Sequence, residues 1–555
     1  MEKLIECVPN FSEGRNSEII EAIAQAVRRT EGVKLLHIDP GFDTNRTVMT
    51  FVGEPAAVTE AAFAAVQKAA ELIDMRRHHG AHPRLGATDV CPLVPIRGVS
   101  DAECIEWAKK LAQRIGEELQ IPVYLYGKAA TRPEREKLPD IRQGEYEALP
   151  QKLADPLWIP DYGPAAFNAK SGATVVGVRD FMLAYNVNLN TRDRRLANEI
   201  AMTLRESGRA ARDKEGNILR NPDGSAVRIP GRLKFVQAAG WYIEEYGYAQ
   251  VSMNLHNLSV TGLHTAFEAV CDEAAKHGLR VTGSELIGMA PLQALLDAGS
   301  YFLRKQGKHL GVPEAEIVHT AVLSLGLNDT SPFVPEERII EYAVREKTPS
   351  LLDKPLDRFL ALLSSDSPTP GGGSVSALSA ALGAALSAMV AGVTFSNAAY
   401  RRRRPRMEEL AVRAQSLLCQ SSALVDEDSR SFDAFMAALR LPQKTEAEKA
   451  ARAAAKEKAA IHMTKVPLQT IKVAWEVLQI AEELVKYGNP NALSDAAVAA
   501  LQAEAAAWGA YYNVRINLPQ ISDEKQRSSL MEEAAGLMQR IRRKSAGVRR
   551  RAAKL

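Results

Sequence analysis

Cysteine is scarce and scattered: Cys7, Cys91, Cys104, Cys271 and Cys419 are the only five, and no two form a CxxC pair. That spacing argues against a disulfide frame and a thiolate zinc site. With no apolar leader after Met1-Glu2-Lys3, the thiols read as reduced and the location as cytoplasmic. A surplus of charge is also lacking, since 70 Lys and Arg face 67 Asp and Glu for a net +3. A dedicated nucleic-acid binder needs a basic face, so no nucleic-acid partner is expected. The clusters at 401–404 and 542–554 read as a helix end and a solvated tail. Long hydrophobic runs are nearly absent too. The uncharged stretch 371–395 is built of Ala, Gly and Ser, with few large apolar residues. It reads as a helix buried by close backbone packing, within its domain or against a neighbouring subunit, and no membrane partner is expected.

A chain of 555 residues exceeds what one core supports. Short β-branched runs at 4–8, 33–38, 47–52, 93–96, 123–126, 174–178 and 183–189 alternate with helical spacing at 17–29 and 55–72, the first helix capped by Asn16. A second round places strands near 234–238, 249–254 and 281–285, and helices near 194–205, 263–277 and 291–303. This alternation implies an α/β (α+β) sandwich of two βαβ-rich subdomains, 1–180 and 181–328, with a cleft between them. The polar insertion 211–231, with turn signals at Glu215-Gly216 and Pro222-Asp223-Gly224, reads as a surface hairpin. A linker at 329–353 follows, its helix opening at Pro335 and running to about Glu346 before Thr348-Pro349. From 354 to 555 the texture is helical, Ala-rich at 377–392, 446–460 and 496–510, which implies an all-α helical bundle.

The densest chemistry lies at 75–92, MRRHHGAHPRLGATDVCP, where His78, His79 and His82 stand beside Gly80, Pro83 and Gly86. Imidazole exchanges protons near neutral pH, so a cluster on a glycine-bent loop points to acid–base catalysis. A metal site is disfavoured, because HHxxH lacks the glutamate of HExxH and no cysteine pair completes it. Asp39 ends a strand and is a candidate to orient a histidine, or simply a turn former. Arg46 can meet a substrate carboxylate in bidentate fashion, or serve a surface pair. In the helical part, Asp426 and Asp428 stand two apart and do not share a helix face. Asp495 sits in an apparent first helical turn, where the helix dipole favours an acid. Gly371, Gly372 and Gly373 precede the small-residue helix, and such an amide-rich start can hold an anion or serve only close packing. No GxxxxGK[ST] loop is present, so no nucleotide is expected.

Several blocks carry a resemblance: CVPNFSEGRN at 7–16, DPGFDTNRTVMTFVG at 39–53, HHGAHPRLGATDVCP at 78–92 and DYGPAAFNAKSGATVVGVRDFMLAYNVNL at 161–189. PGGGSVSAL at 370–378, LVDEDSRSF at 424–432, NALSDAAVAA at 491–500 and NVRINL at 513–518 continue it. The chain resembles the formimidoyltransferase-cyclodeaminase family, bifunctional folate enzymes of histidine breakdown. The resemblance implies formimidoyl transfer from N-formimidoyl-glutamate to N5 of tetrahydrofolate by the first half. It implies closure to 5,10-methenyl-tetrahydrofolate with loss of ammonia by the second. His82 then matches the catalytic histidine, which Asp39 is a candidate to orient, and Asp428 the cyclising aspartate. Gly163, Pro164, Ala165, Ala166, Phe167, Asn168, Ala169, Lys170, Ser171 and Gly172 match the folate segment, with Phe167 and Lys170 to stack on and pair with the pterin. Arg46, His79, Gly372, Gly373 and Asp495 are expected at substrate.

Tetrahydrofolate, polyglutamylated, is the implied co-substrate, and small molecules together with a homo-oligomer are the implied partners. Gln443 and the insertion depart from the family pattern. Rivals on the same fold are an N-formylglutamate formyltransferase, a methenyl-tetrahydrofolate cyclohydrolase and a folate-binding scaffold.

Overall fold

The computed structural model describes residues 3–553 except 43, 81, 245 and 346–348. Glu346, Thr348 and Lys554, on which the expected linker-helix end and tail end rest, lie outside the described residues. Contacts group the chain into two units, 1–299 with 318–346, and 300–317 with 347–555.

In the first unit expected strands, joined by the unexpected two-residue β2, form one mixed sheet: β1 (Leu4–Cys7), β2 (Asn10–Phe11), β3 (Val33–Gly41), β4 (Arg46–Gly53), β5 (Thr88–Arg97), β6 (Val123–Gly127) and β7 (Thr174–Val178). The order is β1-β4-β2-β5-β7-β6, with β3 outside β4. Parallel pairing is confined to β5–β7 and β6–β7. Helices α1 (Ser17–Arg28), α2 (Pro55–Leu72) and α3 (Asp101–Glu118) share a core with this sheet that includes Ile23, Met49, Phe51, Leu93 and Leu111. Asn16 caps α1 as its sequence predicts, accepting from the amides of Glu18 and Ile19. A smaller core of Leu85, Tyr124, Ile141 and Leu149 forms with α4 (Leu138–Ile141) and α5 (Leu149–Ala154). Because side chains alternate along a strand, Arg46 and Val48 project away from the helix-packed Met49 and Phe51. Asp39, opposite Val48 in the register, shares their face. Val52, also on that face, meets Met289 and Ile340 from the second half of the unit.

That half carries an antiparallel sheet, β11-β12-β8-β13. Its strands are β8 (Leu183–Leu189), β11 (Val236–Ile243), β12 (Tyr248–Leu255) and β13 (Val281–Ile287), packed with α6 (Arg194–Leu204) and α7 (Leu263–Lys276). The insertion is more than the expected hairpin. β9 (Arg209–Ala210) pairs with β10 (Arg228–Ile229). Beyond them Ala211, Leu219 and Val227 pass backbone hydrogen bonds of 2.8–2.9 Å around a triangle. The sequence repeats with the same eight-residue period, ARDKEGNI then LRNPDGSA then VR, and Arg212 and Arg220 donate to the carbonyls of their own turn glycines, Gly216 and Gly224. Helices α8 (Leu292–Lys305) and α9 (Glu314–Leu325) follow. The single expected linker helix is two, α10 (Pro335–Arg338) and α11 (Ile340–Val344). Ile339 breaks them with extended backbone, because Arg338 and Ile340 pair with both backbone groups of Ala290.

The second unit contains α12 (Leu356–Leu363), α13 (Gly372–Ser396), α14 (Arg404–Leu439), α15 (Glu446–Tyr487), α16 (Leu493–Asn517) and α17 (Glu524–Ala552). Among the described residues α13 is the one helix long and apolar enough to cross a membrane. Much of it is nevertheless enclosed by protein: Ala380, Ala384, Ala388 and Ala391 join Ala499, Ala503, Ala506 and Ala510 of α16 in one core. Alanine there lets two backbones approach closely. The 401–404 cluster caps helix ends as expected, Arg403 donating to the Tyr487 carbonyl and Arg404 to that of Phe395. The tail is not loose: it forms α17, buries Ile541 and Val548, and pairs Arg549 with Glu504. Replacing Ala503 by Leu forces four heavy atoms less one into the α13–α16 contact, and is expected to cost about 1–3 kcal/mol. The check is the midpoint of the helical unit's urea transition, which should fall.

Candidate functional site

The histidine loop is held by its first member, not by its last. His78 is buried and donates from Nε2 to the Asn45 carbonyl at 2.8 Å, while Arg84 approaches its Nδ1 at 3.4 Å. Asn45, at φ 47°, returns a bond from its amide to the His79 carbonyl and accepts from the Gly14 amide. Gly80 is required where the loop crosses this turn, since a Cβ there would overlap the Thr44 carbonyl. Arg84 is anchored in turn by Glu145 and Glu147. His78 is therefore a fastener, and burial pushes its pKa down. His79 is exposed, and its ring takes no hydrogen bond from the described residues.

His82 is the half-buried member. Its Nδ1 lies 2.7 Å from the Pro83 carbonyl, which can only accept, so Nδ1 carries the proton and Nε2 keeps its lone pair. Arg46 Nη1 stands 3.3 Å from the same nitrogen. Burial first, then the Arg46 and Arg142 guanidiniums, push the His82 pKa down to about 4, against weaker support from Asp89. The ring is thus a neutral base at physiological pH.

Asp89, fully buried on β5, organises these cations. Arg46 Nη1 donates to it at 2.5 Å, Arg142 donates through Nη2 and, at 3.2 Å, through Nε, and the Leu85 amide donates at 3.0 Å. Arg46 is further tied by Nε and Nη2 to Asn10 Oδ1 at 3.0 and 2.7 Å. This corrects two expectations. Arg46 is committed to Asp89 and Asn10 and is not open to a substrate carboxylate. Asp39 is not joined to His82: no hydrogen bond connects them among the described residues, and the charges acting on His82 are Arg46, Arg142 and Asp89. Asp39 lies on the outermost strand, so the buried β5 supplies the carboxylate instead. Asp89, Asn10 and Arg142 were missed by sequence reasoning. A lone acid inside the buried run TDVCPLV signals Asp89, because a carboxylate there needs cationic partners; Arg142, in LPDIRQG, carries no such signal.

The 163–172 segment wraps the same sheet. Gly163 takes φ 81° against α3, Asn168 accepts from the Ser171 amide, and the Ser171 carbonyl accepts from Ala87 beside the histidine loop. Phe167 is exposed at 38% with its ring 5.4 Å from Tyr146, so it is available for stacking. Lys170 is not free to pair as expected. Its amine donates to the Glu71 carbonyl in the last turn of α2, where a cation suits the helix dipole.

In the helical unit Asp426 and Asp428 face different partners, as their spacing dictates. Asp426 accepts from Ser350 Oγ and the Leu351 amide, fastening the chain before α12. Asp428 lies over the first turn of α13, where Ser374 Oγ donates at 3.1 Å and the Ser374 amide also donates. Gly373 makes room, since a Cβ there would overlap the carboxylate. The carboxyl group at this glycine turn is therefore Asp428's own, where the expectation for Gly372 and Gly373 was a ligand anion or close packing. Burial outweighs the two hydrogen bonds and raises the Asp428 pKa, favouring the protonated acid. Asp495 is elsewhere. Gly509 meets Ser376 and Ala499 meets Gly383, so α16 runs antiparallel to α13. At about 1.5 Å per residue Asp495 lies about 20 Å down α16 from Gly509. Gln443 accepts from Arg452 at 2.6 Å on the surface. Among the described residues no group of three His, Cys, Asp or Glu is placed to hold a metal.

Three family profiles match the chain: "Formiminotransferase domain, N-terminal subdomain" over 4–179, "Formiminotransferase domain" over 184–345 and "Formiminotransferase-cyclodeaminase" over 355–536. A formimidoyltransferase-cyclodeaminase of Sus scrofa is 45% identical over 552 residues, 98% of each chain. A glutamate formimidoyltransferase of Streptococcus pyogenes serotype M1 is 42% identical over 55% of this chain and 94% of its own. A methenyltetrahydrofolate cyclohydrolase of Methylorubrum extorquens is 37% identical over 34% of this chain and 93% of its own.

The His82 environment fixes a sign. Between 6.5 and about 4 the unfolded chain binds a proton at this residue that the folded chain refuses, so His82 withdraws stability as pH falls through that window. Long-range 1H–15N NMR should show its ring neutral throughout the window and titrating only near its lower end; a midpoint near 6.5 would contradict the assignment.

Proposed function

The chain belongs to the formimidoyltransferase-cyclodeaminase family, and from that membership we propose which of its residues carry the two reactions. The first half transfers the formimidoyl group from N-formimidoyl-L-glutamate to N5 of tetrahydrofolate. The second cyclises 5-formimidoyl-tetrahydrofolate to 5,10-methenyl-tetrahydrofolate and releases ammonia.

In the transfer, N5 attacks the formimidoyl carbon and must lose its proton, and the glutamate nitrogen must gain one before it leaves. His82 Nε2 takes the first proton and returns it as the second. The observation that carries this role is the Nδ1–H bond to the Pro83 carbonyl, which leaves Nε2 basic. Phe167 and the 163–172 backbone receive the pterin, and exposed His79 contacts substrate.

In the cyclisation, N10 attacks the amidine carbon, its own proton passes to the amidine nitrogen, and that nitrogen leaves as ammonia once it gains a second proton. Asp428, biased toward its acid form by burial, donates that proton and as carboxylate then faces the cationic methenyl product. The α13 start holds this carboxyl in place. Similarity to a cyclohydrolase favours one second reading, hydrolysis of the methenyl product by the same helical site.

A cytoplasmic location fits five unbridged cysteines, with the Cys7 and Cys91 sulfurs 3.6 Å apart and unjoined. A role in histidine degradation fits the family. Leu382, Met389 and Val393 leave an exposed apolar stripe on α13, which supports a homo-oligomer. Folate carrying several glutamates is the proposed natural form of the co-substrate.

The experiment is a pair of variants in a coupled assay of methenyl-tetrahydrofolate absorbance and ammonia. His82→Ala should lower transfer by on the order of 10²–10⁴-fold and spare cyclisation of supplied 5-formimidoyl-tetrahydrofolate. Asp428→Ala should do the reverse. Full activity in both variants rejects the role assignments, and methenyl loss without ammonia selects the hydrolytic reading.

A further inference from the structure

Two guanidiniums beside His82 share a single buried carboxylate, so the neighbourhood keeps an uncompensated positive charge. Arg46 has each of its three guanidinium nitrogens engaged: Nε and Nη2 are on Asn10, and Nη1 is on Asp89. Arg142 differs. Asp89 accepts from its Nε and Nη2 along one edge, and among the described residues nothing accepts from Nη1. Its side chain is 13% exposed, against 0% for Asp89, so the guanidinium is fixed by a fully buried acid while the side chain as a whole keeps contact with solvent. A half-buried, preorganised arginine with a free donor edge is what carboxylate recognition requires.

Both substrates carry glutamyl carboxylates, and bond topology separates them. In N-formimidoyl-glutamate the α-carboxylate hangs on the carbon that bears the leaving nitrogen. In tetrahydrofolate the glutamate is separated from N5 by the methylene bridge, N10 and the benzoyl ring. A cation joined to the proton-transferring histidine through Asp89 and Arg46, and acting on its charge, is therefore near the first and remote from the second.

We propose that Arg142 is the specificity determinant of the transferase, binding the α-carboxylate of N-formimidoyl-glutamate, and that Asp89 is the positioning residue that aims it. The proposal rests on His82 being the transfer base. It explains why Arg142 stands on an irregular segment after α4 yet is clamped by the fully buried acid of β5. The unspent donor completes a site that otherwise holds excess charge.

The test compares N-formimidoyl-glutamate with N-formimidoyl-4-aminobutanoate, which keeps the distal carboxylate and lacks the α-carboxylate. The full-length wild type should prefer the glutamate compound in kcat/KM by at least tenfold. In Arg142→Lys and Arg142→Gln this preference should collapse to within about threefold, with KM for formimidoyl-glutamate raised and KM for tetrahydrofolate unchanged. Asp89→Asn should weaken the preference and lower the apparent pKa of the transfer step, since it removes the carboxylate that offsets the two cations facing His82. Equal use of the two donors by the wild type overturns the proposal whether or not the variants fold. So does an unchanged ratio in active variants. A wild type that transfers to tetrahydrofolate from neither donor sinks the underlying reading instead, and the two failures are told apart by the wild-type arm alone.

Discussion

A carboxylate without solvent, Asp89, is the constraint on which the transferase site rests. Removing one partner of a buried ion pair costs on the order of 3–5 kcal/mol, so Asp89 dictates that both Arg46 and Arg142 come to it. Arg46 arrives from β4, Arg142 from the segment after α4, and the Leu85 amide from the histidine loop. Three separate stretches of chain thereby converge on one atom pair, and His82 is set against the result. The loop's other supports, His78 on Asn45 and Arg84 on two glutamates, hold its base and leave its tip to this cluster.

The two sites solve opposite proton problems with the same tool. Burial drives His82 down to about 4, keeping its ring unprotonated, and drives Asp428 up, toward its protonated form. In both cases the uncharged form is favoured, as expected where solvation is withheld. The supporting groups differ in kind. Fixed cations reinforce the histidine's neutrality, whereas a helix start and a serine hydroxyl temper the aspartate's. The first site therefore depends on long-range tertiary pairing, and the second on two helices meeting at Gly373.

Much of this was legible in the sequence. Strand and helix periodicity located nearly every element of both sheets, and the alanine-rich stretches located the bundle. The glycine-bent histidine loop and the pair Asp426 and Asp428 were visible as chemistry. What escaped depended on partners brought from far along the chain. Arg46 and Asp89 are distant in sequence and adjacent in space, so spacing alone assigned Arg46 to a ligand and Asp39 to the histidine. Lys170 read as a free cation because its acceptor, a helix-end carbonyl, leaves no mark in composition. Asp495 read as a site residue because a first-turn acid looks the same whether it meets a ligand or water. Ile339 broke an expected helix because Ala290 offered both its backbone groups, a competition invisible to local propensity.

The octapeptide triangle between α6 and β11 closes its hydrogen bonds upon itself, and its stem returns to where it left: the Gly231 amide faces the Glu206 carbonyl. A Cβ at Gly216 or at Gly224 would meet no atom nearby. Such a self-contained excursion can be gained, lost or lengthened by genetic drift without the sheet registering the event. It therefore offers a natural splice point at which foreign sequence, such as a fluorophore-bearing tag, can be grafted while both chemistries continue undisturbed.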